Sequence, residues 1–404
     1  MKIAFLLSSF LPDHTGGTEV YVYRLIRHLQ TFGVSCFVIN SIEGEGATQY
    51  TYEGIRVFSI ASAAINSQLR VEALSRLIET ELPDIIHLHE LIRPHGFTEQ
   101  DLEFFYQSGI PLITTLHVSR YSCFMQDLKY LGKYECDGIP SASKCTRCFL
   151  SRKGMGIFTQ PVALVSKFLY DNSIPFPLPT GKAATMLKSY SIVATHLEIL
   201  KRILAISKCV VTVAQWYHDI LKSLVPVDRL YFIPTGSLPQ LGYTGKMRKG
   251  ELVFGYLGRL TADKGIDLLI DSFLLSCKSI HQLKIFADIS DQTDPFIVSL
   301  LNKTRSVSNV LWSDPFHPDS ISAILDAIDV VVVPTRITEM SPLVIHEAKA
   351  AGKFILASNN RGNIELLKYY PKSVIYQENS IVSLKRGIDK TIEKFSDFTS
   401  VNKG

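Results

Sequence analysis

Glu339 and Glu347 stand eight residues apart where an apolar run gives way to an amphipathic one, and that setting decides what the two carboxylates could do. The β-branched residues of the run Ile328 to Val333 suit a strand buried on both faces. Ser341 then offers an N-cap oxygen, Pro342 fits a first helical position, and Gly352 suits a left-handed stop after about ten helical residues. The pattern predicts strand, loop, helix, with the amides of Leu343 and Val344 free at the helix start. Such amides, assisted by the helix dipole, attract phosphate. Glu347, deeper in the helix, suits the two hydroxyls of a ribose, which leaves Glu339 to face whatever hangs from the far phosphate. This is a layout for a sugar nucleotide; the alternative is a pair of solvated surface glutamates.

A second charged set lies between Gly255 and Gly265. Arg259 leaves a predicted strand, and Lys264 stands at a predicted helix start capped by Thr261 or Asp263, so two cations converge where a diphosphate would sit. Gly16 and Gly17, just before a predicted helix, would let backbone approach a phosphate or sugar without a Cβ between them; an ordinary turn is the alternative. His87, His89 and His117 fall at the ends of predicted strands, where a parallel sheet binds its ligands. The dinucleotide and P-loop glycine fingerprints are both absent from the sequence.

Cys123, Cys136, Cys145 and Cys148 form a C-x12-C-x8-C-x2-C series in which only the last pair has zinc-knuckle spacing. Either four thiolates hold a structural zinc that staples a long polar loop, or four reduced cysteines sit in a flexible insertion. An odd total of seven cysteines argues for thiols or a metal over a disulfide framework.

The elements that must carry these residues alternate. Strands are predicted at Lys2 to Leu7, Val34 to Ile39, Ile55 to Ile60, Pro83 to Glu90, Pro111 to Leu116 and Cys209 to Val213, with helices between them. A second alternating series runs from Glu251 through Leu283 to Ala287, Val310 to Trp312, Ile328 to Val333 and Phe354 to Ala357. That pattern means parallel, doubly wound sheets. A chain of 404 residues exceeds one ordinary core, and 46% apolar and 20% charged residues are globular values. The expected division is 1–236, with a Cys-rich basic insertion at about 119–205, a linker at 237–250, a second domain at 251–380 and a helical segment at 381–404.

No apolar run reaches the roughly 18 residues of a spanning helix, and no clear cleavage site follows the short apolar start, so a cytoplasmic protein is expected. The net charge of +4 is uneven: Arg120 to Leu204 holds 12 Lys and Arg against 5 Asp and Glu, which suggests an anionic partner. Lys153, Lys167, Lys182 and Lys188, with the apolar stripe Leu197, Leu200, Ile203 and Leu204, suit an anionic membrane face; a solvated basic surface over a core helix is the alternative.

The Glu339 and Glu347 pair, followed by Ala-Lys-Ala-Ala-Gly, resembles the signature of the retaining glycosyltransferases of family 4, the group 1 glycosyl transferases of the GT-B fold. Ser341 to Glu347 is similar to the version in bacterial polysaccharide-assembly members. Arg259 and Lys264 match the family's phosphate clamp, Gly16 and Gly17 its loop bordering the donor diphosphate, and Leu230 to Gly236 its closing Ile-Pro-Asn-Gly, with Thr235 for Asn. The resemblance implies an α/β chain with two doubly wound Rossmann-like domains facing across a cleft, the 381–404 segment crossing back to the first. It implies retaining transfer from a nucleoside-diphosphate sugar to a saccharide acceptor, lipid-linked, in surface polysaccharide or glycan biosynthesis. His117 would lie beside the reacting carbon; the family's usual Asp after it is Val118 here. Glu339 would hold sugar hydroxyls, Glu347 the ribose, and Ser341, Leu343 and Val344 would help bind the nucleotide sugar. No catalytic metal is expected, since the clamp takes its place and the chain has no Asp-x-Asp pair, and no nucleic acid is expected. Some polysaccharide-type members carry spaced cysteines in the same region. A GT-B epimerase or hydrolase, or a catalytically silent binding protein, is the rival reading.

Overall fold

The computed structural model describes residues 1–42, 47–61, 67–89, 97–174, 181–236, 250–276, 280–313 and 317–401. Nearly all of the expected linker, and residues 175–180 of the Pro-rich loop, lie outside them. The chain forms two compact units, Met1–Pro234 and Thr235–Gly404.

The strands of the first unit are β1 (Lys2–Leu6), β2 (Ser35–Ile42), β3 (Ala47–Tyr52), β4 (Ile55–Ala61), β5 (Ile85–Leu88), β6 (Leu112–Leu116), β7 (Lys129–Tyr130), β8 (Tyr134–Glu135), β9 (Cys209–Thr212) and β10 (Leu230–Phe232). Its helices are α1 (Gly17–Thr31), α2 (Ser67–Glu81), α3 (Glu99–Gln107), α4 (Ala142–Arg152), α5 (Thr159–Asp171), α6 (Lys182–Leu187), α7 (Ser189–Ile206) and α8 (Gln215–Leu221). Eight strands join in the order β10-β9-β6-β5-β1-β2-β4-β3, while β7 and β8 make a separate ribbon. Every pairing in the large sheet is parallel except β3 with β4, which form a hairpin. Parallel strands are buried on both faces, hence the unbroken apolar run Ile3 to Leu7.

One buried ion pair ties this unit's periphery to its sheet. Arg70 in α2, 2% exposed, donates from Nε to both carboxylate oxygens of Asp101 in α3 at 3.0 and 2.9 Å, and from Nη1 to Ser41 Oγ and Ile60 O at the ends of β2 and β4. Asp101 also accepts from the Thr98 amide, completing a capping box at the start of α3.

The second unit contains β11 (Val253–Leu257), β12 (Gln282–Phe286), β13 (Val310–Ser313), β14 (Val330–Val333), β15 (Phe354–Ser358) and β16 (Ser373–Tyr376), all parallel, in the order β13-β12-β11-β14-β15-β16. Its helices are α9 (Ile266–Ser276), α10 (Pro295–Thr304), α11 (Ile321–Asp326), α12 (Leu343–Ala350), α13 (Arg361–Leu367) and α14 (Ile381–Val401). One face of the sheet packs Phe254, Phe273 and Leu356; the other packs Val331, Ile345 and Ile355. The segment expected to cross back to the first domain is α14. Its apolar stripe of Leu384, Ile388 and Phe395 is buried in its own unit's core, Phe395 lies 5.0 Å from Phe354 between ring centres, and Lys394 Nζ donates to Ser373 O.

In both sheets the chain reverses its direction of strand addition once, between β1 and β5 and between β11 and β14. Loops leaving such neighbours diverge and open a crevice at the strands' carboxyl ends.

Candidate active site

In the second unit, residues 258–265 leave β11 and residues 334–342 leave β14, so Arg259, Lys264 and Glu339 all belong to the switch-point loops. Backbone contacts fasten those loops. Gly265 has φ +70°, and a Cβ on it would stand 2.1 Å from Pro334 O; one on Gly362 would stand 2.0 Å from Glu339 O. Arg336 forks Asp267 with two bonds of 2.8 Å, and its amide donates to Asp263 O. Three backbone segments therefore hold Glu339 in place, and only glycine permits two of the approaches.

Glu339 Oε1 accepts from Lys264 Nζ at 2.5 Å and from Thr335 Oγ1 at 3.2 Å. The sequence assigns this cation and this carboxylate to different parts of a ligand, whereas the structure joins them as one ion pair. Arg259 is exposed, and its carbonyl accepts from Tyr256 Oη at 2.6 Å. Lys264 does not begin a helix capped by Thr261 or Asp263. It ends an uncapped 3-10 turn, Ala262–Lys264, and α9 starts beyond the left-handed Gly265.

Ser341 is not the N-cap of α12 either. Pro342 occupies that position with an extended ψ of 120°, which delays the helix to Leu343 and leaves the start without a side-chain cap. Ser341 Oγ instead lies 2.8 Å from His346 Nε2 and accepts from Thr235 Oγ1 at 2.9 Å. Leu343 and Val344 thus hold the first two helical positions, and Glu347, 7% exposed, lies in the second turn. Sequence reasoning missed the buried network beneath. Ser358 Oγ donates to Thr335 O, Asn363 Nδ2 donates to Ser358 O, and Asn360 Oδ1 caps α13 by accepting from the Asn363 amide. An Asn at the end of a predicted strand, before a helical run, is the capping signal that could have found it.

In the first unit the polar residues gather beyond β5 and β6. His89 Nδ1 lies 2.9 Å from His117 Nε2, and His87 Nε2 lies 2.8 Å from Thr115 Oγ1. The His89 and His117 rings stack at 5.2 Å, with Tyr21 edge-on to His117 at 4.8 Å and Phe5 beneath His89 at 5.6 Å. Burial lowers His117 to about 3, and lowers His87 to about 3 with help from the neighbouring His117; His89 is held well below its ordinary value by burial and by both neighbours. All three rings are neutral near pH 7. In a hydrogen bond between neutral imidazoles one nitrogen donates and the other accepts, so the tautomers of the two rings are coupled. Val118 is 40% exposed and carries no polar group; the orienting partner of His117 is His89. The i, i+2 spacing of His87 and His89, which puts both on one strand face, was the available signal.

Gly16 is the N-cap of α1, with no side-chain cap. A Cβ there would stand 2.4 Å from Oε2 of Glu19, whereas one on Gly17 would meet nothing within 4 Å. Glu19 is buried and accepts from Ser9 Oγ at 3.0 Å. A carboxylate built into a helix start competes with phosphate for its amides and presents an acceptor suited to hydroxyls. The sequence reading of this loop omitted Glu19.

The stripe Leu197, Leu200, Ile203 and Leu204, which the sequence left open between a membrane face and a core helix, is buried core of α7, against which α4 and α5 pack. The exposed apolar residues of this region include Ile157, 88% exposed, Phe158, Leu164, Val165 and Phe168, on the turn before α5 and on α5 itself. Among the described residues, no group of three or more His, Cys, Asp and Glu side chains is gathered to hold a metal, and no helix is long and apolar enough to cross a membrane.

Two Rossmann-like units, each with its polar residues at the switch point, define the GT-B class of glycosyltransferase fold. Residues 245–396 match the family model of glycosyl transferases group 1, and residues 15–139 match that of glycosyltransferase family 4. The chain belongs to this family of group 1 glycosyltransferases. It is 29% identical over 119 residues to the lipopolysaccharide 1,2-N-acetylglucosaminetransferase of Salmonella typhimurium, a match covering 28% of this chain and 31% of that relative. Among solved structures, sucrose-phosphate synthase of Thermosynechococcus elongatus is similar with a TM-score of 0.63 at 15% identity, over 98% of this chain and 90% of that one. Anabaena HepE, solved in complex with UDP-glucose, is similar with a TM-score of 0.62 at 16% identity, over 98% and 91% of the two chains. At these identities the likeness is one of fold.

Proposed function

We propose that this chain transfers a sugar, with retention, from a nucleoside-diphosphate sugar to a lipid-linked saccharide in surface polysaccharide or glycan biosynthesis. The observation that carries the reading is the Lys264 and Glu339 pair set before the uncapped start of α12, with Glu347 buried in the second turn. Cleavage of the anomeric bond puts negative charge on the departing diphosphate and positive charge on the sugar. In the second unit, Arg259, Lys264 and the amides of Leu343 and Val344 stabilise the first; preorganised donors of this kind contribute about 3 to 4 kcal/mol each in other enzymes. Glu339 holds sugar hydroxyls, His117 stands beside the anomeric carbon, and Glu347 fixes the ribose. Glu19 adds a hydroxyl acceptor beside Gly16. The acceptor oxygen replaces the phosphate oxygen on the anomeric carbon, and its proton leaves with the diphosphate. UDP-glucose in HepE supports the donor class, and the Salmonella lipopolysaccharide relative supports the acceptor class.

The acceptor also accounts for the basic segment of the first unit. Leu164 and Phe168, four apart on α5, stand exposed beside Ile157 on the turn before it, within the segment carrying 12 Lys and Arg against 5 Asp and Glu. An apolar ridge in a cationic surround fits an anionic bilayer, where each basic residue adds about 1 kcal/mol.

Incubation with a panel of nucleotide sugars and a saccharide acceptor tests the function. We expect a new glycoside of the donor's anomeric configuration; altered sugar without transfer points to an epimerase or hydrolase, and binding without turnover to a silent protein. Glu347→Ala is expected to weaken nucleoside diphosphate binding, and Glu339→Ala to lower turnover mainly. Equal loss of nucleotide affinity in both would refute the division of labour.

A further inference from the structure

We propose that Cys123, Cys136, Cys145 and Cys148 bind one zinc ion as thiolates, and that this ion locks the segment between His117 and α4. The four side chains line a single small cavity of about 10 Å³, enough for one water-sized particle. They come from three places in the chain: the turn after His117, the residue following β8, and α4. Sequence spacing alone joins only Cys145 to Cys148.

Backbone amides around the cavity face two of the sulfurs. The Leu131 amide donates to Cys148 Sγ at 3.2 Å, and the amides of Leu128, Met125 and Asp127 are directed at Cys123 Sγ. Gln126, Leu128 and Leu131 hold φ of 66°, 53° and 56°. Residues bearing a Cβ avoid that region and persist there only where the surroundings over-determine them. Left-handed residues interspersed in turns can aim neighbouring amides to one side, an arrangement that cradles anions. A tetrathiolate zinc carries two negative charges, and Lys129 and Lys144 line the same cavity. The nearby carboxylates are already engaged: Asp127 by the Lys129 amide and Arg152, Asp137 by the Ile139 amide and Lys144.

As placed, the sulfurs are not gathered around one point. A change of χ1 between staggered wells moves a Cys sulfur by roughly 3 Å with the backbone fixed, which is the adjustment binding requires. Zinc then replaces the four S–H protons, which pass to solvent, with four Zn–S bonds. Cys123 Sγ lies on the chain six residues beyond His117, and its amide donates to Ser119 O at 2.8 Å, so the metal anchors the turn that carries His117.

The test uses the full chain, purified without chelators from zinc-supplemented cultures. Metal analysis is expected to give about one zinc per chain. Alkylation of the folded protein should spare these four thiols until a strong chelator removes the metal, and cobalt substitution should give the intense visible bands of a tetrahedral thiolate site. Cys123→Ser and Cys148→Ser should each lose the metal, and Cys209→Ser should keep it. Wild-type protein without stoichiometric zinc whose four thiols react freely in the folded state, or a disulfide among them by mass mapping, overturns the proposal. Because these readouts need no sugar transfer, they stand or fall separately from the proposed activity.

Discussion

The hydrogen bond between His89 and His117 gives His89 a testable task. If His89 orients the ring beside the reacting carbon, His89→Phe keeps the stack on Phe5 but removes the bond, and kcat should fall about tenfold or more with KM little changed. His89→Asn, which keeps a hydrogen-bonding group, should restore part of the loss; equal loss in both variants would assign His89 to packing alone. Because His117 is lowered to about 3, no kinetic limb near pH 6.5 should come from it. The stability consequence has a definite sign. His87 and His117 have folded values near 3 and unfolded values near 6.5, so between these pH values the unfolded chain binds more protons. Their stabilisation is complete above pH 6.5 and is lost on acidification toward 3, by up to about 1.4 kcal/mol per pH unit for each ring. Denaturant titrations at pH 7.5 and 5 measure this, and a flat profile in that window would refute neutral burial.

At the scale of elements, the three backbone segments packed around Glu339 make a sharper prediction than its charge does. Gly265→Ala must place a Cβ against Pro334 O at a φ of +70°, and Gly362→Ala must push Glu339 O away. We expect each to cost about 1 to 3 kcal/mol of stability and to lower turnover, with the nucleotide affinity of Gly362→Ala less affected. Unfolding curves and nucleoside diphosphate titrations on the two variants decide it. These approaches were invisible in the sequence, which shows that a glycine is present and not what presses on it. What the sequence did disclose was periodic: the β-branched run of β14, the helix ended by Gly352, and the strand and helix alternation of both sheets. It misjudged or left open places where two local rules compete. Pro342 fits a first helical turn and an extended cap equally well, and only its ψ decides; Leu197 to Leu204 form the same apolar stripe whether covered by lipid or by α4 and α5. Helix α5 escaped notice because its exposed face is also apolar, which blurs the contrast on which periodicity depends.

For the whole molecule, membrane binding should follow the face of α5. Flotation with anionic liposomes is expected to carry the protein at low salt and release it at high salt, and Phe168→Asp should abolish it. Association that ignores Phe168, or a concentration-dependent dimer abolished by the same change, would give that ridge to another partner. The division at Pro234 and Thr235 bears on descent as well as on mechanics. Each unit completes its own sheet and buries its own clusters, the Phe5 and Val38 cluster in the first and the Phe254 and Leu356 cluster in the second. A recombination event near the junction would therefore leave both interiors intact. Among relatives of this chain, the choice of nucleotide and the choice of acceptor would then be inherited as separate traits, with family trees drawn from residues 1–234 and from 235–404 free to disagree.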